Sequence, residues 1–171
     1  MAPTLNRSLA DLGALLHLVD PTLPIGGFNH SNGLETFVQQ GAVSTKPSLE
    51  EYVQTQLLQN WVYNDGAYLS LAFEAMATND FDRLCELDHS LSATKIARES
   101  REGSFKLGVR LLKIFIRYEQ HPMLSQFQQA IQNKTVQGYF PIVFAMVAQA
   151  MGLSKACLLY TSPSPRDYAA S

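Results

Sequence analysis

Apolar residues recur at helical spacing along most of this chain. Alternation with a period of two, the pattern of a half-buried strand, is nowhere sustained. The first helical stripe ends at Asp20-Pro21, because proline does not continue a helix. We therefore expect an all-α protein, a single-domain bundle of about seven or eight helices. That first stripe consists of Leu9, Leu12, Leu15, Leu16 and Val19.

Capping residues, prolines and glycines predict where the later helices begin and end. Ser, Thr, Asp and Asn side chains accept hydrogen bonds from the first helical N–H groups, and proline fits the first turn. The predicted boundaries are a cap at Ser31 or Asn32, an end at Gly41, a capping box at Ser48 and Glu51, a break at Asn64-Asp65-Gly66, a cap at Asp80, a long helix from Ser92, and first turns at Pro122 and Pro141.

The composition is that of a globular protein with a small share of charge. Apolar residues make up 46% and charged residues 16% of the 171 positions, whereas about 25% charged is average. So few charges favour an apolar interface on the surface. The net charge of −2, without a long basic run, argues against nucleic acid as the main partner.

Targeting and membrane signals are missing from the sequence. Its apolar runs are far shorter than the roughly 20 residues of a membrane span. The first residues, MAPTLNRSLADLG, lack the basic lead and apolar core of a secretory signal. Two cysteines, Cys85 and Cys157, are too few for a disulfide framework. We therefore expect a cytoplasmic protein that does not enter a membrane.

The most restricted stretch of backbone is PTLPIGGFNHSNGLE, Pro21–Glu35, called here the Pro/Gly loop. Pro21 and Pro24 fix φ, whereas Gly26-Gly27 permits backbone angles that other residues avoid. Loops are usually variable connectors, so this restriction indicates a fixed shape that another molecule contacts.

The Pro/Gly loop resembles the N-terminal signature of urease accessory proteins of the UreF family, P-x-(L/F)-P-x-G-(G/S/A)-(F/Y)-x-(H/Y)-S-x-G-L-E. Two later stretches are also similar to the family. Residues 97–113 resemble a helix with the pattern R-x-x-S-x-x-x-G-x-x-L-L, and residues 138–153 resemble a later helix rich in small residues. The resemblance extends from about Leu12 to about Ala156. The matching signature positions are Pro21, Pro24, Gly26, Gly27, Phe28, His30, Ser31, Gly33, Leu34 and Glu35.

This resemblance implies a helical scaffold protein that is not an enzyme and has no cofactor or catalytic residue. Members help to insert nickel into urease, commonly as homodimers. The implied partners are apo-urease, a UreD-type protein (also called UreH) and the GTPase UreG. The residues that it marks as partner-binding or loop-shaping are Pro21, Pro24, Gly26, Gly27, Phe28, His30, Ser31, Gly33, Glu35 and Arg98. For Arg98, a solvated helix face is the alternative to interhelical or partner contacts.

The residues alone leave rival functions open. Gly26-Gly27 before a helix is compatible with phosphate binding and thus with a helical enzyme, but the Lys-Ser/Thr of a P-loop is missing. Ser31 beside His30 is compatible with a hydrolase, but adjacent residues seldom orient as nucleophile and base. A helical adaptor unrelated to urease is the other alternative.

Candidate metal ligands are few, and no metal site is assigned. Cys85 and His89 lie four residues apart on a predicted helix, a spacing that puts both on one face. Two ligands do not close a site, and free cysteines are usually core residues. His30 is the first histidine to test because the family handles nickel; alternatively, it stiffens the loop through a hydrogen bond. His30, Cys85 and His89 are thus weak candidates.

The last fifteen residues differ from the rest of the chain. CLLYTSPSPRD, from Cys157 to Asp167, matches the in-frame translation of a common transposase-type sequencing adapter. We therefore expect a UreF-like helical domain over residues 1–156 and a non-native, disordered tail over residues 157–171. The family's C-terminal segment, which takes part in partner contacts, would then be missing. The alternative is a genuine flexible tail rich in serine and proline.

Overall fold

A computed structural model describes residues 5–26, 33–95, 97–156 and 158. Within this part of the chain the protein consists of eight α-helices and one π-helical segment, without a strand. The predicted all-α class is therefore confirmed. The elements are α1 (Leu5–Leu18), α2 (Leu34–Gln39), α3 (Lys46–Thr55), π1 (Gln56–Gly66), α4 (Ala67–Ala77), α5 (Phe81–Thr94), α6 (Arg98–Phe115), α7 (Pro122–Gln132) and α8 (Phe140–Ala150).

Helix α8 forms the centre of the core. Every residue from Pro141 to Ala148 is buried, because the sequence is apolar on all sides of this helix. Helices α4 and α6 pack against it, and α5 packs against α4. Pro141 lies in the first turn of α8 and Pro122 in that of α7, as predicted.

The backbone that enters α8 lies directly on α6. A Cβ atom added at Gly108 would lie 2.1 Å from the Gly138 carbonyl oxygen. One turn earlier on α6, Ser104 Oγ accepts a hydrogen bond of 3.3 Å from the Phe140 N–H. Two small residues at (i, i+4) therefore allow the close contact between α6 and the start of α8.

A buried carboxylate holds the same segment from the other side. Asp88 is completely buried on α5 and accepts hydrogen bonds from three consecutive N–H groups, those of Gln137, Gly138 and Tyr139, at 2.6, 3.1 and 2.9 Å. Burial raises the pKa of Asp88, and these three donors offset part of that increase. Asp88 thus fixes the turn that places α8 in the core.

The predicted break at Asn64-Asp65-Gly66 is wrong. Gly66 has right-handed helical angles, φ −65° and ψ −38°, and the chain is helical without interruption from α3 through π1 to α4. Tertiary contacts override the local signal. Lys95 Nζ lies 2.7 Å from Asp65 Oδ1, and Thr94 Oγ1 donates to Asn64 Oδ1 at 3.1 Å. The end of α5 therefore binds the two polar side chains that suggested a loop.

Two predicted helix starts are displaced. Helix α3 begins at Lys46 with Thr45 as its cap, and the capping box joins Thr45 to Ser48. The predicted box at Ser48 and Glu51 is thus three residues late. Ser92 lies inside α5, where its hydroxyl accepts a hydrogen bond from Tyr139 at 3.0 Å, and α6 begins at Arg98. The predicted cap at Asp80 is confirmed by its 3.0 Å bond from the Arg83 N–H.

Helix α1 lies against the core through fewer residues than its stripe suggested. Leu15 and Leu18 are buried, and the His17 ring contacts Phe115 of α6 edge-on at 5.4 Å. Leu9, Leu12 and Leu16 are exposed in this chain. The stripe therefore predicted the helix correctly and only part of its buried face.

Candidate functional site

The structure describes the two ends of the Pro/Gly loop and leaves out its middle. Residues 21–26 and 33–35 are described. The predictions for Gly27, Phe28, His30 and Ser31 lie outside the described residues, so their loop-shaping, partner-binding and metal-binding roles remain predictions.

The Pro/Gly loop begins with a compact turn that directly follows α1. Asp20 Oδ1 accepts hydrogen bonds from the Thr22 N–H at 2.8 Å and from the Thr22 hydroxyl at 2.6 Å. The hydroxyl bond, followed by the backbone bond, lowers the pKa of Asp20. Leu23 N–H donates to the Asp20 carbonyl at 3.1 Å. The turn is therefore closed by short-range bonds before the glycines begin.

Residues in this turn divide into an inner and an outer set. Leu23 and Ile25 are half-buried and pack against the core, whereas Pro21 and Pro24 are exposed. The inner pair fixes the loop on the bundle. The outer prolines restrict the backbone while presenting their rings to solvent, as a preformed contact surface requires.

Arg110 of α6 holds the loop at its first glycine. Its Nη1 donates to the Ile25 carbonyl at 3.0 Å. Gly26 has φ +79°, and a Cβ atom there would lie 2.1 Å from Arg110 Nη1. The backbone angle favours glycine at position 26, and a larger residue there would also displace the guanidinium of Arg110. Sequence reasoning missed Arg110, since one cation on a polar helix face carries no signal of a contact 85 residues away.

The second end of the loop starts α2. The N-cap position is Gly33, with φ +92°, so the predicted cap at Ser31 or Asn32 is displaced to a residue that adopts this angle without strain. Glu35 is exposed in the first turn, where a negative charge suits the helix dipole. The predicted end at Gly41 is confirmed by its φ of +75° after α2.

Arg98 lies on a solvated face of α6. Its side chain is 78% exposed, and Nε donates to Glu102 Oε1 of the same helix at 2.7 Å. This hydrogen bond raises the pKa of Arg98. The contact that joins the start of α6 to the preceding segment comes instead from Arg101, whose Nη1 donates to the Lys95 carbonyl at 3.0 Å. A partner contact of Arg98 stays a prediction.

The two described metal candidates have other roles in the structure. Burial, with the charges of Asp88 and Asp82, raises the pKa of the Cys85 thiol, so the thiolate that a metal requires is disfavoured. His89 Nε2 lies 2.5 Å from the Thr135 carbonyl oxygen and holds the turn after α7. Across the described ranges, His, Cys, Asp and Glu side chains form no group of three or more suited to a metal ion.

Helices α2 and α3 and segment π1 form the least buried part of the described chain. None of their residues is buried. Phe37 of α2 contacts Tyr52 of α3 at 5.5 Å between ring centroids. The large apolar side chains that are exposed here are Phe37, Val38, Leu49, Val53, Leu58, Trp61, Val62 and Tyr63, called here the apolar surface. Such exposure is typical of a protein that binds others.

Comparison with known proteins identifies the family. A family model described as UreF matches residues 43–162. A Haemophilus influenzae protein named urease accessory protein UreF is 82% identical over 160 residues, which cover 94% of this chain and 68% of that protein. The chain belongs to the UreF family.

Other members extend the comparison across bacteria. An Actinobacillus pleuropneumoniae protein of the same name is 79% identical over 152 residues, covering 89% of this chain and 67% of its own length. A Streptococcus salivarius protein of that name is 32% identical over 160 residues, covering 92% and 68%. Because the family model matches from residue 43 onward, it supports the family independently of the Pro/Gly loop.

Family membership bears on two expectations about function: that the chain is not an enzyme, and the alternative of an adaptor unrelated to urease. UreF is a family of accessory proteins and not of enzymes, so the chain is not an enzyme. It also removes the support for an adaptor unrelated to urease. In the described part of the chain, every helix is too short or too polar to cross a membrane.

The proposed tail boundary falls inside the family match. The match ends at residue 162, and the described Leu158 is fully buried, with its N–H donating to the Ser154 carbonyl at 3.1 Å. The rest of residues 157–171 lies outside the described residues. A boundary after residue 156 therefore stays a prediction.

Proposed function

We propose that this chain is a urease accessory protein that scaffolds nickel insertion into apo-urease. It bridges a UreD/UreH-type protein and a UreG-type GTPase, acts as a homodimer, and works in the cytoplasm. The observation that carries this proposal is the 82% identity over 160 residues to the H. influenzae protein of that name.

The proposed mechanism is binding. The partners supply the nucleotide and metal chemistry, and this chain holds them in register. The apolar surface supports such a role because its large apolar side chains are exposed to solvent and can contact a partner.

The Pro/Gly loop supports the same mechanism. Leu23 and Ile25 anchor it on the core, and Arg110 binds its backbone, so the exposed prolines occupy fixed positions before any partner arrives. A preformed surface loses less conformational entropy on binding than a flexible one.

Complementation of a urease-producing host that lacks its own UreF tests the proposal. The full-length gene should restore urease activity and nickel content, and the product should co-purify with the UreD- and UreG-type proteins. Light scattering should report a dimer. Fully metallated urease in the host without the gene would refute the proposal.

A further inference from the structure

Helix α6 and the turn that follows it carry four closely spaced cations. Lys106, Arg110 and Lys113 follow one another on α6 at intervals of four and three residues, which puts them on one face, and Arg117 lies in the turn after the helix. These four residues are called here the cationic stripe. All four residues are exposed. Between Gly103 and Tyr118 the sequence contains no Asp or Glu, although the whole chain has a net charge of −2. Positive charge is therefore concentrated here against the overall balance.

Contacts within the chain use little of this charge. Lys106 Nζ lies 3.3 Å from Glu102 Oε2, an exposed pair one turn earlier. Among the described residues, no ion pair of 4.0 Å or less joins Arg110, Lys113 or Arg117 to a carboxylate. The helix dipole favours cations in the last turn, which accounts for Lys113 but not for Lys106 or Arg110 farther back.

Arg110 contacts a segment of the chain outside α6. Its bond to the Ile25 carbonyl engages one of its five N–H donors and fixes the guanidinium beside Gly26. A guanidinium held in place loses little side-chain entropy when it binds a carboxylate. This bond also joins the stripe to the described start of the Pro/Gly loop, residues 21–26.

A shallow apolar groove borders the stripe. Its volume is about 290 Å³, and Phe105, Val109, Ile131 and Val136 line it together with Lys134 and Gln137. Phe105 and Val109 directly precede Lys106 and Arg110 on α6. Lys134 adds a further exposed cation at the groove, on a backbone with φ +60°. Cations thus lie both on the stripe and beside the groove.

We propose that the cationic stripe and this groove form a docking surface for an acidic segment of a partner protein. Its carboxylates pair with Arg110, Lys113 and Arg117, and one apolar side chain enters the groove. Charge complementarity selects this occupant, because the chain's low net charge and the groove's apolar lining do not suit a nucleic-acid backbone. The inference rests on the proposed function and assigns a surface to it.

Affinity measurements with reversed charges test this surface. The probes are the purified UreD/UreH-type protein, the UreG-type GTPase and apo-urease, each titrated separately against the full-length protein. K113E/R117E should weaken binding to at least one probe on the order of tenfold, because each exposed ion pair contributes modestly and reversal adds repulsion. Circular dichroism should show an unchanged fold. The matched control R83E, at an exposed cation on α5, should bind like the wild type.

The salt dependence of binding and a comparison with duplex DNA complete this test. Wild-type affinity for that probe should fall as salt rises, and the K113E/R117E variant should show a smaller salt dependence. Val109→Asp should weaken binding of the same probe. The proposal would be overturned if K113E/R117E bound all three probes as tightly as the wild type does. It would also be overturned if the two substitutions abolished binding to duplex DNA and left binding to the three proteins unchanged. If the wild type binds none of the probes and activates no urease, the proposed function itself fails.

Discussion

Helix α8 and the stretch from α2 to π1 both carry large apolar side chains, yet they are buried to opposite extents. Residues 141–148 of α8 are all buried, whereas no residue of α2, α3 or π1 is. Polar residues interrupt the apolar side chains of α2, α3 and π1, whereas the apolar run of α8 is unbroken from Ile142 to Ala148. The first region builds the fold, and we infer that the second provides contact area for partners.

Close backbone contact distinguishes the core from the apolar surface. The start of α8 is held between Gly108 on α6 and Asp88 on α5. Helix α2, in contrast, contacts α3 through rings that remain largely at the surface. Substitutions should therefore affect stability strongly in the first region and weakly in the second.

The largest predicted effect is at Gly108. In Gly108→Ala, the new methyl group would lie 2.1 Å from the Gly138 carbonyl oxygen, so α6 and α8 must separate. We expect a loss of about 3 kcal/mol in the free energy of unfolding, measured by urea denaturation.

Gly103→Ala is the matched control for that change. It lies on the same helix, and a Cβ there meets nothing within 4 Å. It should leave stability unchanged or raise it by about 1 kcal/mol through helix propensity. Equal effects of the two variants would mean that α6 and α8 do not touch as described.

Asp88→Ala should have the next largest effect. It removes the acceptor of three consecutive N–H groups in the turn before α8, which should cost about 3 kcal/mol. Glu86→Ala, an exposed position on the same helix, should change the free energy of unfolding by less than about 0.5 kcal/mol. A small effect of Asp88→Ala would show that the turn does not depend on this carboxylate.

The stability difference between the wild type and Asp88→Ala should also depend on pH, which sharpens the test. Burial raises the pKa of Asp88 in the folded state above its ordinary value of 3.8. At pH values between 3.8 and the folded-state pKa, the folded protein therefore binds more protons than the unfolded one. The wild type should therefore lose stability relative to Asp88→Ala as the pH rises through this window. If the wild type instead gained stability relative to Asp88→Ala as the pH rises, the three N–H donors would outweigh burial in setting the pKa of Asp88.

Arg110→Met should have a smaller effect on stability. It removes the exposed bond to the Ile25 carbonyl and should lower the free energy of unfolding by about 1 kcal/mol. Limited proteolysis should cut the Pro/Gly loop faster in this variant than in Lys113→Met, which keeps the bond. Equal cleavage rates would show that Arg110 does not hold the loop.

Leu58→Ser combined with Val62→Ser should have the smallest effect on stability and a large one on function. Both side chains are exposed on π1, so stability should change by less than about 0.5 kcal/mol. Urease activation in the complemented host should fall, because partner contact area is lost. Normal activation would remove this part of the apolar surface from the mechanism.

Sequence reasoning succeeded where one local feature decides the outcome. Pro122 and Pro141 start helices, Asp80 caps one, and apolar spacing at a period near 3.6 gave the all-α class. The signature in the Pro/Gly loop also led to the UreF family, which the comparisons confirm.

It failed where distant residues decide. The helix continues through Asn64-Asp65-Gly66 because the end of α5 binds their side chains. Asp88 gave one usable signal, an acidic residue on the same stripe as Leu84 and Leu91, but its three donors lie about 50 residues away. Arg110 gave none, since its partner is a backbone carbonyl in another element.

Hydrogen exchange of the isolated chain and of its complexes tests the contrast between the two regions most directly. Amides of α8 should be strongly protected in both states, whereas those of α2, α3 and π1 should exchange faster alone and slow down when the UreD- and UreG-type partners are added. If α2–π1 were as protected as α8 in the isolated chain, or if partners left its exchange unchanged, the account would be contradicted.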